Sequence, residues 1–430
     1  MALHFDTKSS LVLALCAWLG CACGSSSTSG PPSQLPSAGS SGSAGSSGAA
    51  VGGTSGASVG GAGAGAASAG SAGANTAGAS GADGAGAGGA AATGTPFVYV
   101  GGTGQIGIYK LDAATGKLTL VKGVDAGSTP SFLALDPTRA HLYAVNEGDA
   151  KVASFTVNPA TGDLAFLNRV DSGGGAPAFV SVDHSGKYVL VANYNGGTTR
   201  VFPVGADGSL GAPSDNKAPG MNSHMILTDH QNKFAFVMNL GSNTVSQYAF
   251  NGSAGTLTAN SVPSVSTMQG AGPRHMAFHP NGKFAYLINE LNDTMSAYSY
   301  DAALGQLGFL QSLSTLPAGA NGGNNSCAEV VVAPSGNFVY GSNRGHDSIV
   351  TFAIDALGKL TFAGTTPSGG NVPRSFTLSA DGKLMLVANE SGNVSSFSVN
   401  TTTGALTPLL SNAVPAKPQF VGIVLLPGAP

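Results

Sequence analysis

The stretch GPRHMAFHPNGKFAYLINEL, Gly272 to Leu291, is one copy of a design that the chain repeats along most of its length. It opens on a polar pair, Arg274 and His275, and runs through an apolar segment to the turn sequence Pro280–Lys283. It returns as FAYLIN and ends on the acidic Glu290. A period-two apolar pattern on either side of a Pro-Asn-Gly-Lys turn predicts two antiparallel strands joined by a hairpin. The polar residues then lie together at the open end of that hairpin.

Working outward, two ladders carry the same design. Apolar strands end in asparagine at Asn146, Asn193, Asn239, Asn289, Asn343 and Asn389, and first strands start at Pro130, Pro177, Ser223, Pro273, Cys327, Pro373 and Pro418. A Gly-x-Leu turn recurs at Gly116, Gly162, Gly208, Gly255, Gly305, Gly358 and Gly404, at intervals of 46, 46, 47, 50, 53 and 46 residues. Each repeat therefore holds four short strands, a period that suits a propeller blade and exceeds the shorter repeats of a β-solenoid. The last segment, Pro418 to Pro427, matches a first strand, whereas the repeats begin at Phe97 with what matches a second strand. Pairing these two ends would complete one blade and close the ring. The prediction is an all-β, seven-bladed propeller of four-stranded blades over 96–430. The recurring asparagines read as structural, each hydrogen-bonding to the next loop.

Composition divides the rest of the chain. Residues 25–95 are almost wholly Gly, Ala and Ser, with nothing large enough to bury, and read as a flexible linker. Residues 1–24 contain an apolar run, Leu11 to Leu19, too short to span a bilayer as a helix and suited to a signal peptide. It runs into WLGCACGSSS, which resembles a bacterial lipoprotein signal, with Cys21 or else Cys23 as the lipidated residue. The expectation is an exported protein on the bacterial cell envelope, meeting the membrane only through a lipid anchor. Charged residues make up 9% of the chain and the net charge is −3, so a nucleic-acid partner is excluded for want of a basic footprint. The one cysteine of the globular part, Cys327, has no disulfide partner there and reads as a small buried residue.

Strand parity places the candidate site. The start of strand one and the end of strand two share one mouth of the ring, because hairpin neighbours run antiparallel. After each first-strand anchor come Ser131, Ala178, His224, Arg274, Ala328, Arg374 and Gln419, then Phe132, Phe179, Met225, His275, Glu329, Ser375 and Phe420. After the asparagines come Glu147, Tyr194, Leu240, Glu290, Arg344 and Glu390, with His346 just beyond. Consecutive blades four to six thus gather His224, Arg274, His275, Glu290, Glu329, Arg344 and His346, and Arg374 follows in blade seven. Three of the chain's six arginines in one ladder suit an anionic ligand. The bland alternative is an ion-pair network that locks blades, with Glu290 and Glu329 neutralising the arginines. His141, His184, His230 and His279 fall near the opposite turns and read as exposed or turn-capping.

The phrases ANYNGG (192–197), GPRH (272–275), NEL (289–291) and SNRGHDSI (342–349) resemble the seven-bladed lactonase family, which includes propeller 6-phosphogluconolactonases and carboxymuconate-lactonising cycloisomerases. The resemblance covers Phe97 to Pro427, with Ser223 standing where proline is common. It implies a lactonase, or a cycloisomerase in the reverse sense, without metal or other cofactor, acting as a monomer on a small anionic lactone or sugar acid. By motif it implies His224, Arg274 and Glu290 as catalytic, with Glu290 or His224 as general base. Arg344, His275, Glu329, His346 and Arg374 are left to bind substrate. Since 6-phosphogluconate chemistry is cytosolic, an exported chain implies another sugar or acid lactone. Two competing readings are a non-catalytic, surface-anchored propeller that binds a protein or glycan, and a calcium-dependent lactonase of another propeller type, whose ion the arginines would repel.

Overall fold

A computed structural model describes residues 94–320, 322–414 and 417–427. The expected signal segment with Cys21 and Cys23, and nearly all of the expected linker, lie outside them. The described residues form 28 β-strands and no α-helix. They make seven four-stranded antiparallel sheets.

Six blades follow the chain without interruption, from β4 (Pro130–Leu135) to β27 (Leu406–Ala413). The remaining blade is composite. Its innermost strand is β28 (Pro418–Leu426), paired with β1 (Thr95–Gly102), and β2 (Gln105–Asp112) and β3 (Lys117–Asp125) follow outward. The closure expected from the two ends is present, with Val98 opposite Ile423 and Val100 opposite Val421. Counting the composite blade as the first, the innermost strands touch in cyclic order: β28, β4, β8 (Pro177–Val182), β12 (Ser223–Thr228), β16 (Pro273–Phe278), β20 (Ser326–Val332), β24 (Pro373–Leu378) and β28 again.

Burial falls from axis to rim. β4, β12 and β16 are buried at every position, while the outermost β3 and β27 are mostly exposed. The core therefore sits in the two inner strands of each blade, where each fully buried Phe, Leu or Val contributes about 1.5–3 kcal/mol.

The Gly-x-Leu turns hold blade to blade at the mouth opposite the candidate site. Gly162 has φ +70° and Gly404 +74°, and a Cβ on either would run into the ring of Phe97 or Phe338 in the preceding blade. Four tyrosines latch the same turns. Tyr99, Tyr143, Tyr286 and Tyr340 donate their hydroxyls to the carbonyls of Gly162, Gly208, Gly358 and Gly404 at 2.8–3.2 Å. His279 caps a turn on this side, its ring taking the Asn281 amide and reaching the Gly336 carbonyl.

The asparagine ladder is structural, but its bonds do not run to the next loop. Asn193 and Asn343 donate backward to the carbonyls of Ser172 and Thr315, in the segment leading into their own blade. Asn239, Asn289 and Asn389 bond hydroxyls of their own third strand: Ser246, Ser296 and Ser395. Asn389 also reaches back to the Ser368 carbonyl, whereas the buried Asn146 side chain has no hydrogen-bond partner among the described residues.

Candidate functional site

Each blade bends at the same place. The pairing of strands one and two slips between Pro130 and Phe132, Pro177 and Phe179, Ser223 and Met225, Pro273 and His275, Cys327 and Val330, and Pro373 and Ser375. A matching slip sits between Gly101 and Gly102 opposite β28. A β-bulge re-aims the extra side chain. His224, Arg274 and Arg374 are each such an extra residue. Ser223 does not disturb this geometry, because its hydroxyl donates to Asn239 Oδ1 at 2.9 Å and anchors the strand as a proline ring does by sterics.

The residue before the bulged pair carries a second constraint. Thr129, Ala176, Asn222, Gly272 and Val372 all have φ between +50° and +65°. Their carbonyls accept the amides of Glu147, Tyr194, Leu240, Glu290 and Glu390 at 2.7–3.0 Å. The left-handed residue, disfavoured for Thr and Val, thus fixes the side chain at the end of strand two.

At the centre of the mouth Glu290 bridges two blades. Its Oε2 lies 2.9 Å from Arg274 Nε and its Oε1 2.9 Å from Arg344 Nη2. Arg274 is 2% exposed, and its Nη1 also donates to the Ala328 carbonyl at 2.7 Å. Arg344 Nη2 donates to the Cys327 carbonyl at 2.9 Å. Below them, His275 Nε2 lies 3.3 Å from Arg274 Nη1 and His275 Nδ1 lies 2.9 Å from Glu329 Oε1. A guanidinium can only donate. Nε2 must therefore accept, and the imidazole proton sits on Nδ1, donated to Glu329.

Burial and neighbours set the charges. Burial pushes the Glu329 carboxyl up to about 8, against a smaller opposing pull from Arg274. Burial and then Arg274 hold both His224 and His275 well below the ordinary histidine range, so both rings are neutral. Burial works to raise Glu290, but Arg274 and Arg344 outweigh it and leave the carboxylate ionised below its usual range. Burial and Arg344 work against the Arg274 charge. A guanidinium starts from above 12 and has Glu290 beside it, so it stays charged.

The structure brings together His224, Arg274, His275, Glu290, Glu329 and Arg344. His224 packs edge-on to His275 and to Tyr194, at 5.0 and 5.6 Å between ring centres, and its buried Nδ1 has no hydrogen-bond partner among the described residues. Phe132, Phe179 and Phe420 cluster with His275 and floor the site. Two expectations are corrected. Glu329 pairs with His275 and not with an arginine, since the bulge turns it inward toward the neighbouring blade's imidazole. His346 is exposed, its ring bonded to Ser348 at 2.8 Å, because the turn after Arg344 carries it out to the surface. Arg374 belongs to a separate group with Glu147 and Glu390. Tyr194, Glu147 and Glu390 carry the same sequence signal as Glu290, a place directly after the asparagine ladder. Grouping by neighbours in the chain hides them, because ring closure sets blade seven near blade two. Cys327 is fully buried, as its composition suggests. Among the described residues no three His, Cys, Asp or Glu side chains converge so as to hold a metal ion.

A family model described as "Lactonase, 7-bladed beta-propeller" matches residues 91–423. A 6-phosphogluconolactonase of Pectobacterium carotovorum is 32% identical over 324 residues, covering 75% of this chain and 96% of the relative. A 6-phosphogluconolactonase of Bacillus subtilis is 33% identical over 334 residues, covering 74% and 94%. Among solved structures, a periplasmic gluconolactonase of Pseudomonas aeruginosa superposes with a TM-score of 0.72 at 28% identity, covering 77% of this chain and 99% of that one.

Proposed function

The chain belongs to the family of seven-bladed β-propeller lactonases, and on that premise we propose that it opens a sugar or acid lactone by hydrolysis at the mouth that holds Glu290. The observation that carries this is the Glu290 carboxylate spanning Arg274 and Arg344 at 2.9 Å each, with neutral His224 nearby. The relatives' names, 6-phosphogluconolactonase and gluconolactonase, support the hydrolytic direction. None of those names supports the cycloisomerase direction.

The chemistry follows from what each group can do. Arg274 and Arg344 are charged donors at the place where a lactone carbonyl becomes an oxyanion. As they turn toward that oxygen they release Glu290, whose burial then dominates and raises its basicity. Glu290 takes a proton from the attacking water, with His224 as a second acceptor that orients it. The tetrahedral adduct collapses, the bond from acyl carbon to ring oxygen breaks, and the proton on Glu290 passes to that oxygen. The product is the open hydroxy acid.

Proton release from a panel of gluconolactone, 6-phosphogluconolactone and muconolactone tests the reading. Glu290→Gln is expected to lower kcat/KM by about 10²–10⁴-fold with the fold retained, at a melting temperature lowered by the loss of the ion pairs to Arg274 and Arg344. Full turnover in that variant would remove Glu290 from the mechanism. Wild-type protein that opens no lactone would overturn the function.

The location belongs to the same proposal. The Leu11–Leu19 run would direct export and Cys21, or Cys23, would carry lipid, with residues 25–95 as tether and a monomeric propeller outside the cytoplasm. The periplasmic location named for the Pseudomonas gluconolactonase is consistent with this. Loss of labelled fatty acid from a Cys21→Ala, Cys23→Ala double variant is the expected result.

A further inference from the structure

The mouth holds a second charged group that the hydrolysis above does not use. Arg374 lies 3.5 Å from Glu147 Oε2 and 3.6 Å from Glu390 Oε1, and Lys417 lies 3.0 Å from Glu390 Oε2. These four residues come from blades two, seven and one. Blade one carries no charge at this end of its second strand: Gly102 pairs with Pro418 where the next blades have Asn146 and Asn193, and Thr103 stands where they carry Glu147 or Tyr194.

The group differs from the Glu290 centre in two ways. Its charges balance, two cations against two carboxylates, whereas Glu290 faces two guanidiniums. Its arginine contacts are also loose. Separations of 3.5 and 3.6 Å exceed the 2.7–2.9 Å of a charge-assisted hydrogen bond, so the Arg374 donors and the facing carboxylate lone pairs are not used up on each other. The first strands of blades two and one add unpartnered polar atoms: Ser131 Oγ and Gln419 Oε1 have no hydrogen-bond partner among the described residues. Ser131 is 2% exposed and occupies the bulge position that elsewhere aims Arg274 and His224 into the mouth.

We propose that this sector is a polyol subsite, in which Glu147 and Glu390 accept, and Arg374 and Ser131 donate to, the vicinal hydroxyls of an uncharged sugar lactone while its ester sits at Glu290. This deepens the lactonase reading and rests on it. It also replaces the anionic ligand expected from the arginine count. The excess positive charge of the mouth lies at Glu290, where two guanidiniums share one carboxylate, whereas the charges of this sector already balance, so a phosphate placed here would meet Glu147 and Glu390 without a spare positive charge.

Calorimetric titration with the stable open-chain acids separates the subsite from turnover. Gluconate carries the hydroxyls, 5-hydroxyvalerate lacks them, and 6-phosphogluconate adds the phosphate. Wild-type protein is expected to prefer gluconate to 5-hydroxyvalerate, and to bind 6-phosphogluconate no more tightly than gluconate. Glu147→Gln and Glu390→Gln should each reduce the preference for gluconate about tenfold or more, the loss expected for a hydrogen bond to a charged group. Ser131→Ala, which leaves the ion pairs intact, should reduce it severalfold. The ratio of kcat/KM for gluconolactone over δ-valerolactone should fall in parallel. A preference unchanged in all three variants, or 6-phosphogluconate bound more than tenfold more tightly than gluconate, overturns the subsite. Wild-type protein that opens neither lactone, yet shows the gluconate preference and loses it in the variants, overturns the lactonase reading and leaves the subsite standing.

Discussion

Glu329 shows how much one buried residue decides. It is fully buried, it receives the Nδ1 proton of His275, and through that ring it sets the acceptor that holds the Arg274 guanidinium. Its carboxyl titrates near 8 in the fold and near 4.5 when unfolded. The unfolded chain therefore releases this proton first, and stability present below about pH 4.5 is lost as pH rises to about 8. Glu329→Gln should remove this part of the pH dependence, seen as a flatter melting temperature between pH 5 and 8; an unchanged slope would place the titration elsewhere. His224 and His275 act in the opposite direction. Their folded values are depressed, so the stability they support is present above the ordinary value of about 6.5 and falls away as the solution is acidified.

The element that recurs is the lead into strand one, a residue at positive φ followed by a bulge. It aims one side chain into the mouth and, through its carbonyl, holds the residue at the end of strand two. Gly272 is the glycine of this series, and its carbonyl accepts the Glu290 amide at 2.7 Å. Ala176 shows that a Cβ alone is tolerated at such a φ. At Gly272, however, a Cβ would lie 2.6 Å from Leu291 Cγ. Gly272→Ala is therefore expected to cost about 1–2 kcal/mol and to displace Glu290, lowering kcat/KM as well as the melting temperature. Lost stability with full activity would mean that the Leu291 side chain alone yields.

For the molecule as a whole, closure is the long-range requirement. β28 pairs along the length of β1 and contacts the first strands of blades two and seven. A chain ending at Val414 would leave β1 as an open edge and expose Val98, Val100 and their neighbours. Its expected behaviour is loss of a single cooperative transition and aggregation. A truncated chain that melts as sharply as the full one would show that six blades and a remnant suffice. The same closure assembles Arg374 with Glu147, residues more than two hundred positions apart in the chain.

Blade number, strand count, the joined ends and the mouth that carries the polar ladder were all legible in the sequence. They follow from local rules, the period-two apolar pattern and turn residues at fixed spacing, which act within one hairpin. Glu290 beside Arg274 and Arg344 was legible for the same reason, since adjacent blades put adjacent repeats side by side. The tertiary structure alone decided the rest. Which carboxylate meets which cation depends on the bulges that re-aim side chains by one residue. Which residues share the second sector depends on how side chains of blades two, seven and one meet across the join, which the pattern within one hairpin does not fix.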